Sequence, residues 1–371
     1  MRLVTMRPTG TGEGRASENR VAVVLVSGRI LSLGALAGLA PTGLPNDIGD
    51  VDLASVLERD PDLASVREAL EVAGAETLEA AALDPATVRL AAPIPRPGKI
   101  VGVGYNYLAH VREQGRERPV RPVLFSMFAN AVIADGDAIR KPAGTHALDL
   151  EAELAVVIGR RARRVSPDLA LRHVAGYTVA NDVTARDWQG QAKVLRAGEQ
   201  GDGQWLRAKG SDTFLPLGPC LVTADELGDG RGLAVRSWLT RAADAAAGPN
   251  AGPGAERGVA GPDAGPDVGP HVGPVAGRPF RMQDGDTADL LFSVAELIAM
   301  ISAEVTLDPG DVIVTGTPSG VGVFREPPVF LEPGDLVRVE VERIGSLTSP
   351  ITDEDGHAPA GSPAARFLAG A

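Results

Sequence analysis

Short apolar runs broken by glycine and proline set the rhythm of this chain, and most are of strand rather than helix length. Residues 21–26 (VAVVLV) and 30–36 (ILSLGAL) flank Ser27, Gly28 and Arg29, the pattern of a β-hairpin around a glycine-containing turn. The later stretch DLASVLERDPDLASVREALEVAG has helical spacing instead. Pro93, Pro95 and Pro97 then make an extended connector, because proline fixes φ and keeps its predecessor out of the helical region. Residues 1–95 therefore read as a small α/β N-terminal domain with a packing or dimer-positioning role.

Beyond the connector, Ile100 to Val103 forms a short buried strand that Gly104 ends, and Phe125 to Ile139 reads as strand and turn. From Asp149 the polar positions alternate as Asp149, Glu151 and Glu153. Their parity continues into Ala155 and Val157, while Leu154, Val156 and Ile158 occupy the other face, so the strand is apolar on both sides. Ser166 before Pro167 marks a helix start, and GYTVANDVTARD returns as a strand ending near Asp182. Residues 291–303 predict an amphipathic helix with Ser293 and Glu296 as a capping box. GDVIVTGTPSGVG at 310–322 is a strand breaking into a glycine-rich turn, EPGDLVRVEVERIG is the last alternating strand, and residues 351–371 read as a flexible tail. Residues 242–277 shift abruptly to Gly, Pro, Ala and Asp, a composition that cannot build a core and predicts a disordered loop. The class is mixed α+β, mainly β.

At 371 residues, 44% hydrophobic and 23% charged, the chain can bury a sizeable core. Its formal net charge of -12 excludes nucleic acid and anionic membranes as natural partners, and any anionic substrate must find its counter-charge locally. The single cysteine, Cys220, rules out an internal disulfide framework and a Cys-based zinc site, and reads as a small core residue. No apolar run reaches membrane-span length and no signal peptide opens the chain, so a cytoplasmic protein is expected.

Charge patterning turns into chemistry at Glu151 and Glu153. Residues i and i+2 of a strand share a face about 6.6 Å apart, close enough for two carboxylates to converge on one cation. Glu151, Glu153 and Asp182 are the candidate metal ligands. An all-oxygen set with no His or Cys selects one hard divalent ion, Mg²⁺ or Mn²⁺, over zinc. An exposed edge strand would account for the two glutamates equally simply, but not for a strand apolar on both faces, where unpartnered carboxylates are costly. Further upstream, His110 and Glu113 share a helix face at i and i+3, the spacing of a carboxylate-supported general base as well as of two solvated side chains. The turn at 315–322 brings glycine amides close to an anionic oxygen but lacks the Gly-Lys-Ser/Thr ending of a nucleotide loop.

Seven blocks together, VGYNYLAHVRE, RPVLFSMFANAVI, DLEAELAVVIG, VAGYTVANDVTARDWQ, LRAKGSDTFLPLGP, GDVIVTGTPSGVG and EPGDLVRVEVERIGSL, make residues 98–350 resemble the fumarylacetoacetate hydrolase superfamily. The resemblance implies that superfamily's β-sandwich roll as the catalytic domain, and a homodimer. It also implies Mg²⁺ or Mn²⁺ on Glu151, Glu153 and Asp182, and His110 with Glu113 as the catalytic pair of hydrolytic members. Lys209 is placed beside the metal, where an ammonium can balance the acidic cluster and donate to a developing enolate oxygen. Arg186 and Gln189 fall in the substrate pocket and Thr317 at the substrate carboxylate, although Arg186 could equally pair with Asp187 or Asp182. One departure is Met127, where many members carry a lysine. The insertion at 242–277 then enlarges a hairpin that relatives turn tightly, at a closure cost that grows only logarithmically with length.

These parts suit a small-molecule 2-oxo acid. The leading expectation is metal-dependent hydrolysis of a C–C bond in a β-diketo acid, an acylpyruvate or a fumarylacetoacetate-like compound, with His110 and Glu113 activating water. The same electron sink serves a hydratase, isomerase or decarboxylase of related 2-oxo acids. A non-catalytic 2-oxo acid binder is the remaining alternative.

Overall fold

The computed structural model describes residues 1–7, 19–40, 43–45, 47–196, 203–242 and 276–370. At its centre lies the strand Ala152–Ile158, every residue of which is buried. It pairs antiparallel with Val174–Asn181 on one side and with Val312–Val314 on the other. These strands belong to an 11-stranded mixed sheet, and a five-stranded sheet stands apart from it.

The two faces of the central strand meet different partners. Leu154, Val156 and Ile158 pack into a core shared with Val337, Val339, Leu347 and Ile351 of the five-stranded sheet. Ala155 and Val157 face a second core built with Leu33, Leu36, Leu53, Val56 and Leu57, which come from the N-terminal helices. A layer on each side explains why no exposed polar alternation follows Glu153.

Residues 1–95 do not stand off from this sheet. Arg2–Met6, which the sequence reading left unassigned, pairs with Arg20–Val24 on one edge and with Leu215–Thr223 of the main sheet on the other. The expected hairpin forms between Arg20–Val24 and Ile30–Ser32, but its second run does not stay extended. Ser32 accepts a hydrogen bond from the Ala35 amide and starts a helix at Leu33–Leu39, so LGAL is helical. Cys220 is buried within Leu215–Thr223, and burial pushes its thiol pKa up.

Three features of the C-terminal half bear on the earlier expectations. Ala234–Thr240 and Pro279–Asp286 pair antiparallel out to Thr240↔Pro279, so the Gly/Pro-rich insertion is the connection of a hairpin. Most of that insertion, residues 243–275 with His271 among them, lies outside the described residues. The tail is a correction: Leu336–Val341 is followed by another strand, Gly345–Asp353, and by a helix at Pro363–Gly370. Ile351 pairs with Ile139, and Pro363 and Ala364 are buried, so apolar contacts hold the C-terminal segment that had read as a flexible tail.

The helix Val294–Glu304 carries the full capping box: the Ser293 hydroxyl accepts from the Glu296 amide, and the Glu296 carboxylate accepts from the Ser293 amide. Ser293→Ala should therefore lower the unfolding free energy by about 1 kcal/mol. A urea titration with an unchanged slope would read this as a lower midpoint, and an unmoved midpoint would contradict it.

Candidate active site

The register Ala152↔Asn181 brings the two chain segments together just where the central strands end. One residue further out, the Asp182 amide donates to the Glu151 carbonyl at 2.9 Å, and the Asn181 side-chain oxygen accepts from the Glu151 amide at 3.0 Å. Glu151 and Asp182 are thereby locked as neighbours, and Glu153 follows on the strand. One carboxylate oxygen from each of Glu151, Glu153 and Asp182 lies within 4.8 Å of the others. All three side chains are buried.

Two cations answer them. Lys209, at the end of the short helix Trp205–Lys209, donates to Glu151 at 2.9 Å, Asp182 at 2.5 Å and the Thr184 hydroxyl at 2.9 Å. Arg186 Nη2 pairs with Glu151 at 2.7 Å, and its Nε donates to Asp149 at 2.9 Å. Neither ion pair weighed for Arg186 in the sequence forms: Asp187 instead accepts from the Thr145 hydroxyl and the His146 amide, and Asp182 pairs with Lys209. Asp149 is the counter-ion, and it also accepts from the amides of Leu150, Gly322 and Val323.

Burial opposes ionisation of Glu151, but Lys209, Arg186 and His110 overcome it and lower its pKa to about 2. Burial raises Asp182 to about 6, with Lys209 pulling the other way. Burial, reinforced by the charges of Asp182 and Glu151, pushes Glu153 well above the ordinary range. Ionised together, the four buried carboxylates would outnumber the two fixed cations by two charges, an excess that a divalent ion would cancel. Asp182 Oδ1 is buried without a hydrogen-bond partner, an orphan acceptor on one of the three clustered carboxylates. The donor set fits a hard divalent cation, and Glu151, Glu153 and Asp182 are the residues that would hold it.

His110 and Glu113 lie on the helix Leu108–Glu113, and their pair closes at 2.6 Å from Nδ1 to Oε1. That contact leaves His110 Nε2 for the cavity, which His110 lines together with Glu151, Glu153, Arg186, Gln189 and Lys209. Glu113 is itself held by the Gly320 amide at 3.0 Å. The glycine-rich turn does present amides to anions, but the anions are the protein's own: Gly316 donates to Glu153 at 2.7 Å, Gly320 to Glu113 and Gly322 to Asp149.

Gln189 accepts from Arg186 Nη1 at 3.2 Å at the cavity wall. Thr317 also lines the cavity, but its hydroxyl donates to the Ala152 carbonyl and accepts from Gln283, so its proton is already committed inside the protein. Met127 is buried in the core shared with the N-terminal helices, and no cation reaches the cavity from there. Sequence reasoning missed Gln283 and Asn106. Gln283 ties Ala152, Ser237, Thr317 and Pro318 together from within the hairpin. Asn106 binds both backbone groups of Phe292 and the Thr315 carbonyl. Neither carries a local signal: Gln283 lies among charged residues in RMQDGD and Asn106 between two tyrosines.

Among the described residues no helix is long and apolar enough to cross a membrane. A buried carboxylate cluster with an imidazole–carboxylate pair lining the same cavity is a donor set that could hold a divalent ion. The family follows from direct comparison: the model for the fumarylacetoacetate (FAA) hydrolase C-terminal domain matches residues 99–352, and the chain belongs to that family. It is 38% identical over 269 residues to the mitochondrial oxaloacetate tautomerase fahd2 of Xenopus laevis, covering 72% of this chain and 70% of the relative. Human oxaloacetate tautomerase FAHD2A, also mitochondrial, is 39% identical over 264 residues, 71% of this chain and 69% of its own. Among solved structures, fumarylacetoacetate hydrolase from Exiguobacterium antarcticum superposes with a TM-score of 0.66 at 27% identity, over 95% of this chain and 99% of that one. The 5-carboxymethyl-2-hydroxymuconate delta-isomerase from Mycobacterium smegmatis gives 0.60 at 30% identity over the same shares.

Because Glu153 is the least compensated carboxylate, Glu153→Gln should stabilise the metal-free protein by about 1 kcal/mol or more while weakening Mn²⁺ binding at least about tenfold. Urea unfolding in chelator and titration calorimetry with Mn²⁺ measure the two halves. A variant both less stable without metal and unimpaired in binding would remove Glu153 from the site.

Proposed function

We propose that this chain is a divalent-metal enzyme, using Mg²⁺ or Mn²⁺, that interconverts the keto and enol forms of a 2-oxo acid, with oxaloacetate as the first substrate to assay. The observation that carries the reading is the His110–Glu113 pair at 2.6 Å, on a helix that borders the same cavity as the carboxylate triad. Relatives named oxaloacetate tautomerases, 38% and 39% identical over most of the chain, support this choice of reaction over those that break a bond.

When bound, the divalent ion supplies Lewis acidity toward the substrate's 2-oxo and carboxylate oxygens. The protein's own part is proton transfer. His110 takes the proton from C3, Glu113 steadies the imidazolium that results, and the imidazole then delivers the proton to the enolate oxygen. One proton has moved from carbon to oxygen and nothing has left. Lys209 and Arg186 keep Glu151 ionised, and Lys209 also keeps Asp182 in place. Gln189 offers its amide at the cavity wall.

A second reading is hydrolysis of an acylpyruvate, in which the same pair draws a proton from water. The water oxygen then attacks the distal carbonyl, and the C–C bond breaks to an acid and a pyruvate enol. The pair's position and the likeness to fumarylacetoacetate hydrolase favour it. The homodimer belongs to this proposal too, supported by the partly exposed apolar Val123 and Leu124 on the outermost strand of the large sheet.

Stopped-flow absorbance of freshly dissolved enol oxaloacetate should show catalysed ketonisation with Mg²⁺ or Mn²⁺ that chelator abolishes. His110→Ala should lower kcat by about a hundredfold or more, and Glu113→Gln by a smaller factor. Carboxylic acid release from an acylpyruvate panel, with no effect on oxaloacetate, would replace the first reading by the second. Metal-independent ketonisation would overturn both.

A further inference from the structure

The strand Ile100–Gly104 carries glycine at two alternate positions, 102 and 104, and each seats an aromatic ring. A Cβ on Gly102 would overlap the Phe125 ring, and one on Gly104 would come within 3.3 Å of the Trp205 indole. Phe125 and Trp205 meet edge to face at 5.3 Å between centroids, and Tyr105 continues the row at 6.1 Å from Trp205. Tyr105 takes a left-handed backbone, φ 58°, which a bulky residue adopts only when its surroundings require it. Arg116 covers the Tyr105 ring from 5.0 Å.

This row is one wall of the catalytic cavity, which Tyr105, Phe125 and Trp205 line together with His110 and the triad glutamates. It is tied to the chemistry by the helix Trp205–Lys209. Residues four apart share a helix face, and Lys209, which holds Glu151 and Asp182, lies 4.9 Å from the Phe125 ring centre. The outer side of Phe125 and Trp205 borders a second, open cleft with Leu206 and Arg207. Both Lys209 and Arg186, the ammonium and guanidinium lining the cavity, are already engaged by carboxylates. Among the described residues, this ring wall and the neutral amides of Gln114, Gln189 and Gln191 remain for the far end of a substrate.

We infer that Phe125 and Trp205 form the wall that determines specificity, and that the site takes, besides oxaloacetate, 2-oxo acids bearing a flat uncharged group on C3. A planar substituent lies against the rings with its apolar surface buried and needs no counter-charge there. The reaction is the same proton shift, so the inference rests on the tautomerase reading.

Phenylpyruvate is the probe, compared with oxaloacetate in the Mn²⁺-loaded enzyme. Wild type should ketonise the enol form of both. Trp205→Leu and, independently, Phe125→Leu should lower the ratio of kcat/KM for phenylpyruvate to that for oxaloacetate by about tenfold or more, mostly through KM. Saturable quenching of tryptophan fluorescence by phenylpyruvate should weaken in Phe125→Leu, a binding readout that needs no turnover. A uniform loss on both substrates in both variants, or a wild type that ketonises oxaloacetate yet neither binds nor turns over phenylpyruvate, overturns the wall. Saturable phenylpyruvate binding that weakens in Phe125→Leu, in a wild type that ketonises neither substrate, leaves the wall standing and sinks the tautomerase reading instead.

Discussion

Burying four carboxylates against two fixed cations is the constraint on which the rest of this molecule turns. Asp149, Glu151, Glu153 and Asp182 are all nearly inaccessible, and Lys209 and Arg186 meet only part of their charge. Isolated charges in a protein interior cost several kcal/mol each even after relaxation. A site left in that deficit stores a standing preference for a divalent cation, and Asp182 Oδ1, with no donor of its own, marks where the preference is sharpest.

Such a cluster needs rigid walls, because a mobile carboxylate would swing out to water. The rigidity comes from the central strand. One face packs on the five-stranded sheet and the other on the N-terminal helices, so the strand that carries Glu153 has no free surface. The glycine-rich turn completes the frame. Its amides hold Glu153, Glu113 and Asp149 at 2.7 to 3.0 Å, so one segment sets one carboxylate of the triad, the imidazole's partner and the counter-ion of Arg186 relative to one another. Gly320 can approach so closely because its φ of 102° and lack of a side chain leave room for the Met282 carbonyl.

What could be read in the sequence was whatever depends on local spacing. The neighbouring carboxylates Glu151 and Glu153, the i, i+3 pair His110 and Glu113, and the capping box at Ser293 are each written within a few residues; the pair and the box form as read, whereas Glu151 stands just ahead of the strand Ala152–Ile158 with its carboxylate still beside that of Glu153. What could not be read depends on distant pairing. Arg2–Met6 joins the sheet through Leu221 and Val222, more than 200 residues away, and no window of sequence contains both. The same holds for Arg186, whose partner Asp149 is 37 residues upstream while two nearer aspartates competed for it on paper. The C-terminal tail is a related case: nothing local to it marks Ile139, the edge strand that Ile351 finds, or the buried seat of Ala364. The glycine-rich turn was legible as an anion cradle and misread only in whose anions it holds.

Separating the charge problem from the proton problem explains how one frame can serve several reactions. The triad, Lys209 and Arg186 answer only to net charge and would favour any substrate able to share the cation, so they carry no information about which bond changes. The imidazole sits on a different element, the helix Leu108–Glu113, and meets the frame through its partner Glu113, held by the Gly320 amide, and through the Phe324 ring. The ring wall is different again. It is seated on the strand Ile100–Gly104, and through Trp205 it shares a helix with Lys209. A change in the proton donor or in the wall can therefore alter reaction or substrate without disturbing the buried charges, whereas any change among those charges must be compensated on the spot. That asymmetry ties the charge balance to the core, and leaves the choice of reaction and substrate to the helix and the rings around the cavity.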